Sequence, residues 1–159
     1  TIKLEFKKRE DSIISKDSLV ISKQLAKNII NNNYFFNDYK GQLLKAYIKI
    51  KSKGYLPRVI VEYDREAYIN LHGKTRITID KNLRTYSNET NLFNIKNPSI
   101  PIFKDDLHIL EVKFTNYLPD QIKYALNSIN VVPHSISKYT HCQKFINNSP
   151  WRDEIFVPS

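Results

Sequence analysis

Tyr63 and Arg65, then Arg76, Thr78 and Asp80, then Glu111 and Lys113 fall at every second position of three short runs, VEYDREAYI, TRITID and LEVKF. Alternate positions of a strand share one face, so each run presents its charged and hydroxyl groups together. Arginine forks grip carboxylate or phosphate oxygens, lysines neutralise charge, and carboxylates hold a divalent cation that bridges phosphates. A face that mixes these types suits a ligand made of metal and polyanion. An ordinary one-sided sheet would turn the same face to water. The alternation by itself leaves both arrangements open.

The elements that must carry these residues are legible as patterns. TIKLEFKK alternates strictly, with Ile2, Leu4 and Phe6 on one side and Lys3, Glu5 and Lys7 on the other, and predicts a strand. KREDSIISKDS is expected to be a polar connection, with Ser18 capping a helix through Val20, Ile21, Leu25 and Ile29. NNNYFFND predicts a loop, and a second helix runs from about Tyr39 to Ser52, ended by Gly54 and Pro57. RVIVEYDREAYI and TRITIDKNLRTY predict a hairpin about a turn at Asn70–Lys74. Residues 86–106 predict a long loop or flap, LHILEVKF a further strand, and LPDQIKYALNSI and SKYTHCQKFI two short helices before an irregular tail from Asn147. The opposite parity collects Ile60, Ile77, Ile79, Leu110 and Val112, with Glu62 and Asp64 as exceptions expected at strand ends or beside cations from the helices. The class is α+β with a mostly antiparallel sheet.

Composition narrows the partner. Twenty-five lysines and arginines against 16 acidic residues give a net charge of +9, which favours an anionic ligand. Interleaved Glu5, Asp80 and Glu111 weaken a grip on duplex, and no helix-turn-helix or zinc spacing is present, so nucleic acid is not expected. The single cysteine, Cys142, excludes an intramolecular disulfide and suits a reducing compartment; the expected location is the cytoplasm, or the cytoplasmic face of a membrane complex if the chain is part of a larger protein. No run approaches the roughly 20 apolar residues that span a bilayer. The four histidines show no metal spacing, and Cys142 reads as a small buried apolar residue.

IKLEFKK, VIVEYDREAY followed by TRITID, LEVKF with YLPD after it, and SISKY resemble, in order, the motifs of the VTC (vacuolar transporter chaperone) domain. That family belongs to the wider triphosphate tunnel metalloenzyme, or CYTH-like, group. The resemblance implies a β-barrel tunnel flanked by short helices, with Mn²⁺ or Mg²⁺ as cofactor. It implies polyphosphate polymerase activity: transfer of the terminal phosphoryl group of ATP to a polyphosphate chain. Lys7 stands at a basic phosphate ligand, Tyr63 and Arg65 at a tyrosine-x-arginine pair, and Arg76 at the next arginine. Glu111 stands at a metal-binding glutamate, with Glu5 as a second acidic candidate, and Ser137 and Lys138 at a serine–lysine pair that meets phosphate. Lys3, Lys16 and Lys113 complete the expected basic lining, while Ser135 replaces a lysine that some members carry.

The motifs correspond to the C-terminal two-thirds of such a domain, residues 1–159 forming one tunnel domain incomplete at its N-terminus. The expectation follows that this stretch alone is inactive and self-associates through an open sheet edge. An inorganic triphosphatase, or a non-catalytic module that binds polyphosphate or inositol phosphates, is the alternative reading of the same lining.

Overall fold

The computed structural model describes residues 1–10, 13–33, 39–86, 90–104, 107–129, 131 and 133–147. Most of the expected NNNYFFND loop, parts of the 86–106 segment and the tail beyond Asn147 therefore lie outside the described residues. The chain forms two compact units, Thr1–Arg58 with Thr90–Ile95, and Val59–Glu89 with Lys96–Ser159. The architecture is mixed α+β, with antiparallel sheets and four short helices, and no closed barrel forms among the described residues.

In the first unit, β1 (Lys3–Glu10) pairs along its whole length with β2 (Ile13–Val20), Leu4 opposite Leu19 and Lys7 opposite Lys16. The expected polar connection is thus mostly a strand. Its mixed alternation hides it: Asp17 lies opposite Phe6, and Val20 is exposed. The helix cap moves accordingly from Ser18 to Ser22, whose hydroxyl accepts from the Leu25 amide at 3.1 Å and starts α1 (Lys23–Ile30). Helix α2 (Gly41–Lys53) buries Ala46 and Ile50 and ends at Gly54, whose left-handed φ of 62° is the conformation glycine adopts most cheaply. Leu4, Leu25, Ile29, Leu43 and Tyr47 surround a small apolar void of about 10 Å³ in this unit.

The second unit is organised by one long strand. β4 (Thr75–Tyr86) is flanked on one side by β3 (Glu62–Asn70). On its other side β6 (Ile109–Lys113) pairs with residues 76–80 and β5 (Ser99–Pro101) with residues 84–86. β5 is a short strand inside the segment expected to be loop. β3 and β4 meet through a 3-10 turn at His72–Lys74, where Gly73 has φ +71°. An added Cβ there would lie 2.7 Å from the Tyr117 carbonyl oxygen, so glycine is required twice over. Helix α3 (Asp120–Asn127) follows Pro119 with Asp120 in its first turn, as its sequence predicts. Helix α4 (Lys138–Ile146) docks Cys142 against Leu83 and Ile109, with Val61, Tyr63, Ile102 and Phe103 packed around them.

One irregularity decides which side chains share a face. Glu62 pairs with Arg84 but Asp64 with Lys81, so β4 carries one residue more than β3 across this interval. Asn82 lies within that bulge at φ +52°, a left-handed value that asparagine tolerates better than most residues. The bulge rotates the rest of β4, bringing Leu83 to the face of Asp80 and Arg84 to the other. There Arg84 pairs with Glu62 at 2.7 Å and approaches Asp64 at 3.5 Å, while the Tyr86 hydroxyl donates to Glu62. Glu62 opens β3, at a strand end as one of the two expectations had it, and the cation that accommodates it and Asp64 comes from the neighbouring strand and not from a helix.

Candidate functional site

Register confirms that the chemically capable residues of the second unit share one face. Arg65 lies opposite Asp80, Thr78 opposite Glu111, and Arg76 opposite Lys113. Burial then answers the question that alternation left open. Thr78 and Asp80 are 4% and 2% exposed, whereas Ile77 and Ile79 on the reverse face are only half-buried. The polar face of β4 is the covered one. Its far end, at Leu83 and Ile109, is apolar and lies under α4, and the same helix carries Lys138 to the polar end.

Asp80 is the centre of this arrangement. Its carboxylate accepts from Arg65 Nε at 2.5 Å and from Arg65 Nη2 at 2.7 Å, a bidentate fork, and from Lys138 Nζ at 2.6 Å. The Tyr63 ring faces both cations, its centroid 5.0 Å from the guanidinium carbon and 5.1 Å from the ammonium. Burial opposes ionisation of Asp80, but the hydrogen bonds and charges of Arg65 and Lys138 prevail and hold its carboxyl below the usual range. The hydrogen bond to Asp80 likewise raises Arg65 above its already high ordinary value.

Glu111 bonds Lys113 at 2.8 Å. That bond, opposed by burial and reinforced by the charges of Lys113, Lys138 and Arg65, keeps its carboxyl ionised below the usual range. Directly across from it, the buried Thr78 hydroxyl has no hydrogen-bond partner among the described residues. Arg76 and Lys113 lie at the open end of the face and are exposed.

Ser137 occupies the N-cap of α4, where its hydroxyl accepts from the Thr140 amide at 3.3 Å and from the Thr140 hydroxyl at 3.0 Å. Its side chain is therefore already used in starting the helix that presents Lys138. Ser137→Ala is expected to cost about 1 kcal/mol of stability, and Ser137→Gly only a few tenths. Thermal melts of the two variants check this ordering, and equal losses would contradict the capping role.

The remaining expected residues lie in the first unit. Lys3, Glu5, Lys7, Lys16 and Ser18 share one face of the β1–β2 hairpin. Glu5 pairs with Lys16 at 2.7 Å and accepts from Ser18 at 3.4 Å, while Lys7 sits directly opposite Lys16. The hydrogen bond from Lys16 lowers the carboxyl of Glu5. Two lysines opposite each other repel, so this strip holds positive charge that only one carboxylate offsets. Cys142 is fully buried, and burial pushes its thiol up to about 11, which leaves it un-ionised at neutral pH. His141 packs edge-on against Phe103 at 5.5 Å, and burial lowers its pKa. Both have structural surroundings.

Alternation puts Asp80 on the same face as the expected site residues, although it is not one of them. Its signal was a lone acid at inward parity in TRITID, facing Arg65 across the hairpin. For a hard divalent cation, Glu111 and the unpartnered Thr78 hydroxyl supply two oxygen donors on adjacent strands. That set fits Mg²⁺ or Mn²⁺ ions that retain waters and substrate phosphates as most of their ligands. Among the described residues no group of three His, Cys, Asp or Glu side chains comes together. No helix among them is long and apolar enough to cross a membrane.

Comparison with protein families finds that the model described as VTC domain matches residues 1–147. Neither the comparison with curated proteins nor that with solved structures finds a match.

Proposed function

The chain belongs to the VTC domain family, and we propose that the charged face of its second unit holds a phosphate chain and supports transfer of the terminal phosphoryl group of ATP to polyphosphate. One observation carries this reading: the covered face of the sheet is the polar one, with two partly accessible cations, Arg65 and Lys138, gathered on a buried carboxylate. Phosphoryl transfer asks the protein mainly for charge neutralisation and in-line positioning, with no covalent nucleophile. The buried, un-ionised thiol of Cys142 fits that demand by staying out of the chemistry.

In this mechanism Arg65 and Lys138 bind the phosphate oxygens, and Tyr63 forms a wall that keeps the two cations together. Arg76 and Lys113 extend the positive surface toward the open end, and Ser137 fixes the start of the helix that presents Lys138. Lys3, Lys7 and Lys16, with Glu5 as their counter-charge, form a second basic strip on the hairpin for the same kind of ligand. Glu111, with the Thr78 hydroxyl opposite, would hold the divalent cation. Mn²⁺ or Mg²⁺ there would neutralise and polarise phosphate oxygens. The partners under this reading are ATP and polyphosphate rather than nucleic acid, the location is cytoplasmic, and the open edge of β3 is a place for self-association.

The test is incubation with ATP and Mn²⁺ while ADP and polyphosphate are followed together. Matched growth of both is the result this reading expects of a complete VTC domain. Phosphate release without chain growth would make the protein a triphosphatase, and saturable binding without turnover would make it a holding module. Glu111→Gln is expected to remove the Mn²⁺ dependence without changing the fold. A variant that titrates Mn²⁺ with triphosphate as the parent does would place the metal elsewhere.

A further inference from the structure

The contacts of Asp80 leave a particular set of donors unused. A guanidinium has five N–H groups and an ammonium three. Asp80 takes the Nε–H of Arg65 and one hydrogen of Nη2, which is the side-on edge of the fork. The end-on edge, one hydrogen each of Nη1 and Nη2, and the second Nη1 hydrogen beside Cδ make no hydrogen bond among the described residues. Lys138 gives one hydrogen to Asp80 and keeps two. The exposures are graded the same way: the Asp80 side chain is 1% exposed, while those of Arg65 and Lys138 are 32% and 19% exposed. An anion arriving from solvent meets the two cations and not the carboxylate behind their charge.

We propose that Asp80 is a positioning residue: it locks Arg65 of β3 and Lys138 of α4 into one two-cation grip and leaves their remaining donors to a single phosphate group. This rests on the reading of the face as a phosphate site and assigns it a residue that does not itself touch the ligand. Arg65 and Lys138 are 73 positions apart in sequence, on long side chains with several rotatable bonds. Without a shared anchor each would lose that freedom on binding, and pre-organisation removes the cost beforehand. The Tyr63 ring restricts the same two groups from another side. A carboxylate acting only as a competitor would have the opposite consequence, because its removal would add one positive charge and strengthen anion binding. The sign of the effect separates the two roles.

The experiment uses the full chain, its Asp80→Asn variant and its Arg65→Lys variant. Two quantities are read: solvent exchange of the Arg65 Nε–H by nitrogen-edited NMR, and affinity for inorganic tripolyphosphate by calorimetry. In the parent the Nε–H is expected to exchange slowly. In Asp80→Asn it speeds up, and tripolyphosphate affinity falls roughly tenfold, the order of one charge-assisted hydrogen bond, despite the gain in positive charge. Unchanged or increased affinity in a folded Asp80→Asn variant overturns the proposal while leaving the phosphate site standing. Arg65→Lys keeps every charge and removes the fork together with the outward guanidinium donors, so it gives a reading even if Asp80→Asn does not fold. A similar loss is expected, and undiminished affinity overturns the proposal. No saturable tripolyphosphate binding by the parent would remove the phosphate reading and the proposal with it.

Discussion

Arg65→Ala is expected to produce the largest combined loss in stability and ligand binding. It strips the bidentate fork from a carboxylate that is almost fully buried and leaves Lys138 as its sole cation. Removing one partner of a buried pair costs about 3–5 kcal/mol, and the surviving lysine places this case near the lower end, at about 3 kcal/mol. Binding of a triphosphate should weaken by one or two charge-assisted hydrogen bonds, about 1.5–3 kcal/mol, or roughly 10- to 150-fold. Denaturant titration and calorimetry measure the two losses separately. A variant as stable as the parent would show that Asp80 is not held by this fork.

The second large effect is on acid stability. Asp80 has a folded-state pKa below its unfolded value, the net result of burial, which raises it, and of Arg65 and Lys138, which lower it further. A group shifted in this direction contributes stability that is fully present above the unfolded carboxylate value of about 3.9. That contribution is lost as pH falls through the folded pKa. Glu111, lowered chiefly by Lys113, adds to the loss over the same acid window. Melting temperatures of the parent and Asp80→Asn should therefore differ most near neutral pH. They should converge as pH falls through the folded-state value of Asp80, below the usual carboxylate range, where the parent's carboxyl becomes protonated and uncharged like the amide. A gap that stays constant from pH 7 to pH 2 would contradict the account of Asp80 as an ionised buried hub.

The part of this site that was legible in the sequence is the part governed by period two. Strict alternation in TRITID and LEVKF placed Arg76, Thr78, Asp80, Glu111 and Lys113 on one face, and the register agrees. The turn at Gly73, the stop at Gly54 and the start of α4 at Ser137 were also readable, because each depends on a local backbone or capping requirement. What escaped depended on distance or on a break in period. β2 was missed because its residues satisfy β1 by pairing rather than by an alternation of their own. The cation beside Glu62 and Asp64 is not legible in the sequence because the bulge at Asn82 shifts Arg84 to the opposite parity. The importance of Asp80 could not be read from its own strand, since half of its environment arrives from a helix 58 residues further on.

Under the proposed function the Arg65 face of the second unit, and not the net charge of the chain, binds phosphate chains. Lys81 offers the matching control: it adjoins Asp80 on β4 but points to the reverse face, where it pairs with Glu66 at 2.5 Å. The deciding measurement is a calorimetric titration of tripolyphosphate into the parent, Arg65→Ala and Lys81→Ala at one salt concentration. Each variant removes one positive charge from the same hairpin, on opposite faces. A loss of at least about tenfold in Arg65→Ala, with Lys81→Ala close to the parent, is the predicted result. Equal weakening in both variants would contradict it, showing that overall charge binds the anion and that the face has no special role.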